Sequence, residues 1–553
     1  MKKIYNLLTM LLLTFCTMGL FTGIAKGQSR YRAEDIITYS DFSDSYMVDF
    51  SPRFVFFSSE NGIWRLDRFS GKSVTPINFG LGLASAVDLR NGDLMLWHDA
   101  SSTLWLWSKK RGLKYFRWDL SQWYSFDAIN GNVGVKNIGE TEHYVVIKSS
   151  KSSDDPDGDA NIFIDPHSFY LINELNVDDG FIRWAGSWEP HQFKHYWIDD
   201  SDLRYYSEDG RIRDKYNRSY EVSFDVYDEV YQRRYICYPG LGLGIANERH
   251  QSLNIIQPGP AGKDVRSIAL MGSGFMWVCG KNGRNSGINL LDREKGEWQY
   301  FDSDYVTGID SHHINDIVTH KTSTYFASEE GLVIFQAEKG RWKTVGSFSG
   351  LSGLDLRALG KSRSELFIGG DHGLNRMDLP SGKIVPAGDK RVNDLHTDDI
   401  VTDGDTVWVT GFQGAFRYQP DEWQRIGNEE LVVGNEAGRC LAVTKDFFWI
   451  GGERGIRELN RKTGEWKGWL SSVYFNRSPS RSLAANDSLL WVGTRDGLHA
   501  MHLRKRRWLS YGIEEGLPSS NIQFLQVEAD TLWIGTPEGL TRFIWNIPGR
   551  DIF

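Results

Sequence analysis

The side chains of this chain with the chemistry to hold a ligand are scattered singly, without the spacing of a catalytic motif. Lys281, Arg284, His372, Phe412, Arg454 and Arg495 fall in short glycine-flanked turns, and His312, His313 and Asn521 fall in segments that connect one group of strands to the next. Cationic forks, imidazoles, a carboxamide and an aromatic ring can grip hydroxyls and anionic oxygens. Turns on a rigid scaffold are where such contacts are expected, although any one turn residue taken alone reads first as solvated. Asp155, Asp157 and Asp159 alternate in Asp155-Pro156-Asp157-Gly158-Asp159 and offer hard oxygen ligands to calcium. The stretch lacks the sixth-position glycine and the closing glutamate of an EF-hand, so a solvated acidic loop is the default. The basic turn Arg504-Lys505-Arg506-Arg507 likewise reads as solvated.

Bond-breaking chemistry leaves no trace of comparable quality. There is no Gly-x-Ser-x-Gly elbow in a strand–turn–helix setting, no His/Cys metal spacing and no phosphate-cradling loop. No cofactor is expected, and the chain is read as a non-enzyme. A polysaccharide lyase or hydrolase stays open, because its carboxylate pair would come from distant segments and would not show as a motif.

The elements that must position these turns repeat. Leu532-Trp533-Ile534-Gly535-Thr536-Pro537-Glu538-Gly539-Leu540 is echoed by Leu490 to Leu498 and Phe448 to Ile456, with looser copies at Val407 to Ala415, Leu366 to Leu374, Tyr325 to Leu332 and Met276 to Ile288. The glycine before the closing apolar residue falls at 287, 331, 373, 414, 455, 497 and 539, so the period is 41 to 44 residues. A constant period near 42 in strand-rich units points to the blades of a β-propeller. Each unit reads as four strands, the second apolar on both faces, as suits a strand packed between blades. The repeat tryptophans Trp277, Trp408, Trp449, Trp491 and Trp533 lie in that strand and are expected to be core, not a sugar-stacking platform.

The N-terminal half keeps the rhythm with weaker spelling, at Phe56 to Ile63, Leu94 to Leu104, Tyr196 to Leu203 and Tyr235 to Ile245. The polar stretch 149–160 accounts for an excess of residues between units, and the count comes to twelve. Twelve blades exceed the usual range for one ring, so two rings are expected, as six and six or five and seven. The last unit stops after its third strand, and Ile36-Ile37-Thr38-Tyr39 resembles an orphan fourth strand that would close it and remove an exposed edge.

Composition agrees with many short strands. Aromatics reach 13%, with 21 Trp, beside 57 Gly. Lys2 and Lys3 precede an uncharged run from Ile4 to Ala25, and Ala25-Lys26-Gly27 offers small residues for cleavage before Gln28, so residues 1–27 read as an export signal. No second apolar run of membrane-spanning length follows. Residues 28–262 are expected to form one propeller region and 263–553 the other, closed by 35–39. Without the signal the chain carries 60 basic against 72 acidic side chains, a formal charge of −12. That sign argues against nucleic acid and anionic membrane as partners. Cys237, Cys279 and Cys440 are too few for a disulfide framework and read as small buried strand residues.

The phrase Leu532 to Phe543 and the segment Gly516-Leu517-Pro518-Ser519-Ser520-Asn521-Ile522 resemble the two-component-regulator propeller repeat. The spelling is specific over about residues 264 to 545 and degenerate before them. That repeat builds the periplasmic sensor region of hybrid two-component systems in glycan-degrading Bacteroidetes. The resemblance implies two propellers and a ligand-sensing role, while the sandwich, membrane helix and kinase of such sensors have no counterpart in the 553 residues. Similar propellers also occur in a surface accessory protein of the type IX secretion system. The leading expectation is therefore an exported periplasmic or cell-surface protein that binds an oligosaccharide or polysaccharide. Its partner would be a sensor kinase or envelope complex, with pairing to a second copy of itself left open. An interaction scaffold for a secretion or outer-membrane complex is the alternative.

Overall fold

The computed structural model describes residues 35–549 except 60, 72, 78–92, 109–111, 119–121, 130–134, 153–154, 173–174, 176, 186–191, 200–202, 273, 282–286, 312, 420–421 and 427–437. The proposed export signal lies outside the described residues. The described residues form twelve sheets, numbered here I to XII along the chain. Sheets I (45–77), II (94–125), III (135–172 with 183–184), IV (203–220) and V (224–256 with 197–198) make the N-terminal set. Sheets VI (264–301), VII (314–345), VIII (356–386), IX (397–425), X (438–470), XI (482–511) and XII (524–544) make the C-terminal set. The arrangement is thus five and seven.

In the C-terminal set each blade is a four-stranded antiparallel meander. The first strands stand side by side around an axis, and the first strand of VI meets the strands of XII, so the ring closes. Closure depends on the N-terminus. Ile36–Tyr39 pairs antiparallel with Gly539–Ile544, Ile36 opposite Phe543 and Tyr39 opposite Leu540, and becomes the fourth strand of XII. Thr38 Oγ1 and Thr541 Oγ1 lie 2.8 Å apart across that seam.

The repeated phrase has a physical explanation. Leu532, Trp533 and Ile534 are all buried because neighbouring blades cover both faces of the second strand, and Trp277, Trp408, Trp449 and Trp491 are buried the same way. The Thr in Gly-Thr-x-x-Gly ties the turn: Thr536 Oγ1 donates to the Gly539 carbonyl at 3.0 Å and Thr494 Oγ1 to that of Gly497 at 2.9 Å. Gly539 sits at φ 139°, where a side chain is strained, and a Cβ there would come within 2.4 Å of the Tyr39 carbonyl. The glycine is required both by the turn and by the incoming N-terminal strand.

The N-terminal set is less regular, which is why its spelling is faint. Sheets I, II and III share one buried cluster. Sheet V packs on I through Tyr235, Cys237 and Leu243 against Val48, Phe57 and Trp64, and IV packs on V. The unit expected at Tyr196 to Leu203 is not a blade. Trp197–Ile198 runs parallel along the outer edge of V, while Leu203–Tyr205 opens the three-stranded sheet IV. The excess stretch belongs to a long hairpin, Val145–Ser152 with Asp155–Ile164. Arg183 ties I, II and III together, donating to Asp49 Oδ1 at 3.0 Å, Glu140 Oε1 at 2.7 Å and the Trp97 carbonyl at 3.0 Å. The three cysteines are buried and unpaired.

Adjacent blades of the C-terminal ring are also stapled by partly buried carboxylates. Asp316 Oδ2 accepts the Leu359 amide of the next blade at 2.8 Å, and Asp399 Oδ2 accepts that of Leu441 at 2.7 Å. Burial lifts Asp316 to about 6 and Asp399 to about 7, against the pull of these backbone hydrogen bonds. A carboxyl raised in the fold binds more protons there than in the unfolded chain between pH 4 and 7, so its contribution to stability declines as pH rises through that window. Asp399→Asn is expected to destabilise most near pH 5 and progressively less towards pH 8. Urea melts at pH 5, 6.5 and 8 check this, and a penalty independent of pH would show that Asp399 stays ionised throughout.

Candidate functional site

The inner strands carry a second regularity. In VI to X the first strand contains a register shift at one equivalent position, between Val265 and Ser267, Ile314 and Asp316, Leu356 and Ala358, Thr397 and Asp399, and Gly438 and Cys440. Such a bulge leaves one residue outside the ladder and re-aims its side chain. The residues concerned are Arg266, Asn315, Arg357, Asp398 and Arg439, and Arg481 and Gln523 hold the same place in XI and XII. Seven blades therefore present seven polar side chains at one mouth of the axis.

A cavity of about 360 Å³ opens there, lined by Arg266, Lys281, Asn315, Glu329, Asp355, Arg357, Arg481 and Gln523. Every residue that lines it is polar or charged. Glu329 joins Lys281 to His313, whose Nδ1 lies 2.8 Å from Glu329 Oε2. Burial works to raise this carboxyl, but hydrogen bonds from Lys281 and His313 outweigh it and hold the group below the ordinary range. In the next blade Arg357 approaches Asp355 at 3.3 Å, Asp398 at 3.8 Å and His396 Nε2 at 2.6 Å. Arg266 approaches Asp264 at 3.3 Å, and Arg439 pairs with Glu453.

Of the residues expected from the sequence, Lys281 lines the cavity directly. His313 adjoins it through Glu329, and Asn521 adjoins it because its Oδ1 accepts from Arg481 Nη1 at 2.7 Å. Arg495 stands in the neighbouring turn, close enough for its charge to act on Arg481. His372, beside Asp371 Oδ1 at 2.8 Å, Phe412 and Arg454 stay in exposed turns of VIII, IX and X and do not line it. Arg284 and His312 lie outside the described residues. So do the side chains of Asp155, Asp157 and Asp159; their backbone is a strand, not the loop expected for a calcium chelate. Among the described residues no group of three or more acidic, His or Cys side chains is placed to hold a metal ion.

The bulge residues were missed. The signal was present in the period, since positions 266, 315, 357, 398, 439, 481 and 523 are spaced 49, 42, 41, 41, 42 and 42 residues apart. It was hidden by the expectation that inner-strand residues pack and that only turns bind.

No family model matches the chain, and no curated protein does. Among solved structures the fold is similar to PorZ, described as an essential surface component of the type-IX secretion system of Porphyromonas gingivalis, with TM-score 0.56 and 14% identity over 92% of this chain and 87% of that one. The extracellular domain of a putative hybrid two-component system from B. thetaiotaomicron matches at TM-score 0.43 and 14% identity, over 90% of this chain and 68% of its own. That of a putative one component system from the same organism matches at 0.45 and 13%, over 91% and 71%. The blades, the closure of the C-terminal ring and the likeness to PorZ define the class as a tandem β-propeller. The resemblance read from the repeats holds at the level of that fold.

Proposed function

We propose that this chain is an exported ligand-binding propeller protein, periplasmic or at the cell surface. It binds an oligosaccharide at the mouth of the seven-bladed ring and serves a two-component or glycan-utilisation system. Residues 28–262 and 263–553 act as its two propeller regions. The observation that carries the reading is the polar cavity of about 360 Å³, because a sugar is held by hydrogen bonds to many hydroxyls and needs donors and acceptors on all sides. Some of those atoms have no partner in the protein. Arg266 Nε and Gln523 Oε1, on two of the lining residues, are buried and make no hydrogen bond, a condition that costs free energy unless a ligand or water fills it. Among the described residues no helix is long and apolar enough to cross a membrane. In this reading the loaded propeller signals by binding two states of a second protein with different affinity.

Gln523 offers a test, since its Oε1 is a lining acceptor with no hydrogen-bond partner in the fold. Gln523→Ala should weaken oligosaccharide binding by roughly five- to tenfold, as for loss of one hydrogen bond. Stability should stay within about 0.5 kcal/mol. Calorimetry against a panel of neutral and acidic oligosaccharides measures the first effect and urea melts the second. Failure of the parent protein to bind any member of the panel would reject the reading. One feature favours the scaffold alternative: Phe348 and Phe412 are largely exposed in the turns and connections of blades VII to IX. A defined envelope protein captured by a chain that binds no glycan would select it.

A further inference from the structure

The charges at this mouth are unevenly compensated, and the unevenness defines what the ligand must carry. Going round the ring, Lys281 of VI and His313 of VII share Glu329, and Arg357 of VIII stands among Asp355, Asp398 and His396. That arc is balanced. The arc from X through XI and XII back to VI holds Arg439, Arg481, Arg495 and Arg266. Arg439 and Arg266 each have one carboxylate. Among the described residues neither Arg481 nor Arg495 has a carboxylate within ion-pair distance, and the one side-chain partner of Arg481 is the neutral Asn521 Oδ1.

Arg481 is half-buried and lines the cavity. Burial, followed by the charges of Arg495, Arg266 and Arg439, makes its guanidinium easier to deprotonate than an ordinary arginine. Like charges gathered around a partly desolvated cation are unfavourable for the empty protein. The fold nevertheless gathers them, from blades whose bulge residues were free to be neutral, as Asn315 and Gln523 are. Beside this cluster Arg266 Nε is left without an acceptor. A planar fork of N–H donors matches a carboxylate or sulfate in two-point fashion.

Resting on the proposed binding role, we infer that the ligand is an acidic glycan whose carboxylate or sulfate docks on Arg481, flanked by Arg266, Arg439 and Arg495, while its neutral hydroxyls face the balanced arc. Arg481 is the anchor and the other three supply the field. The formal charge of −9 over the whole chain gives no long-range steering, so recognition is local and its salt dependence reflects this cluster alone.

Calorimetry on the full mature chain tests this with three probes: inorganic sulfate, an oligogalacturonate, and the same oligosaccharide after carboxyl reduction. The parent should bind sulfate weakly and prefer the acidic oligosaccharide at least about tenfold over its reduced form. Arg481→Gln should abolish both effects and leave the reduced form bound as before. Arg481→Lys, which keeps the charge and loses the fork, should retain part of the preference. Circular dichroism melts of each variant separate a binding loss from a folding loss, and Arg495→Gln gives a second, exposed variant expected to reduce the preference without touching the core. A sulfated oligosaccharide run in parallel tells sulfate from carboxylate as the natural group. Equal binding of acidic and reduced forms by the parent, or an undiminished preference in Arg481→Gln, overturns the inference while leaving glycan binding intact. Sulfate binding that is lost in Arg481→Gln, with no glycan bound at all, upholds the anion site and instead defeats the oligosaccharide reading.

Discussion

Removal of residues up to Ser40 opens the seven-bladed ring and costs most of its stability. The segment is short, but everything it does lies at the seam. Ile36, Ile37 and Thr38 are buried, and Ile36 belongs to the cluster that includes Trp491, Leu532, Ile534 and Phe543. Burying two isoleucines is worth about 1.5–3 kcal/mol each. The loss would also strip the ladder partners from Leu540 to Phe543 and the Ser40 Oγ donation to the Glu538 carbonyl at 2.7 Å. The sum approaches the whole stability of a typical domain. Ile37→Asp should act in the same direction by placing a carboxylate in the seam without shortening the chain. Hydrogen exchange should then show loss of protection in Thr531–Thr536 and Gly539–Ile544, with the N-terminal blades unaffected. A truncated chain whose C-terminal blades keep their protection would mean that XII is held by its neighbours and not by the N-terminal strand.

That seam was legible in the sequence because both of its halves carry the wrong number of strands: one unit too short at the end, and one strand with no unit at the start. The C-terminal blades were legible for a related reason. Gly497 and Gly539 need positive φ, Thr494 and Thr536 tie the same turn, and Trp491 and Trp533 fill the same inter-blade space, so each blade repeats the same physical demands and therefore the same letters. Sheet V repeats this logic at Tyr235 to Ile245, but sheet IV escapes it. Trp197 and Ile198, which looked like a second strand, run along the outer edge of V with Trp197 exposed, and the middle strand of sheet IV is buried only at Ile212. The binding side chains were half legible. Lys281, His313, Asn521 and Arg495 were found because turns were searched. Arg266, Arg357 and Arg481 were not, because a bulge inverts the direction of an inner-strand side chain without leaving a residue type that marks it. Only the alignment of all seven units at one position would have shown that polar residues recur where a core residue is expected.

The most buried ion pair among the described residues joins sheets I and V of the N-terminal set, so Arg68→Met should cost it about 3–5 kcal/mol at pH 7. Arg68 reaches from the end of sheet I to Asp228 of sheet V, donating through Nε and Nη2 to both carboxylate oxygens and through Nη1 to the Ser51 carbonyl at 3.1 Å. Both side chains are buried. Burial alone would push the Asp228 carboxyl up, but the hydrogen bonds from Arg68 and from the Tyr231 and Val230 amides outweigh it and hold the group below its ordinary range. A carboxyl depressed in the fold contributes stability that is present above its unfolded value near pH 4 and lost as pH falls through the lower folded value. The parent should therefore hold its stability down to about pH 4. In Arg68→Met the carboxylate stays buried without its partner, its proton affinity rises, and the variant recovers as acid neutralises it. The gap between the two proteins should narrow steadily from pH 7 towards pH 4, and Arg68→Met combined with Asp228→Asn should be less unstable than Arg68→Met alone. Guanidinium melts of the three proteins at pH 4, 5.5 and 7 measure this. A gap that does not change with pH would assign the cost to the packing of the Arg68 guanidinium over Phe50 and Tyr231, 4.4 and 5.1 Å from their ring centres, and not to the charge it neutralises.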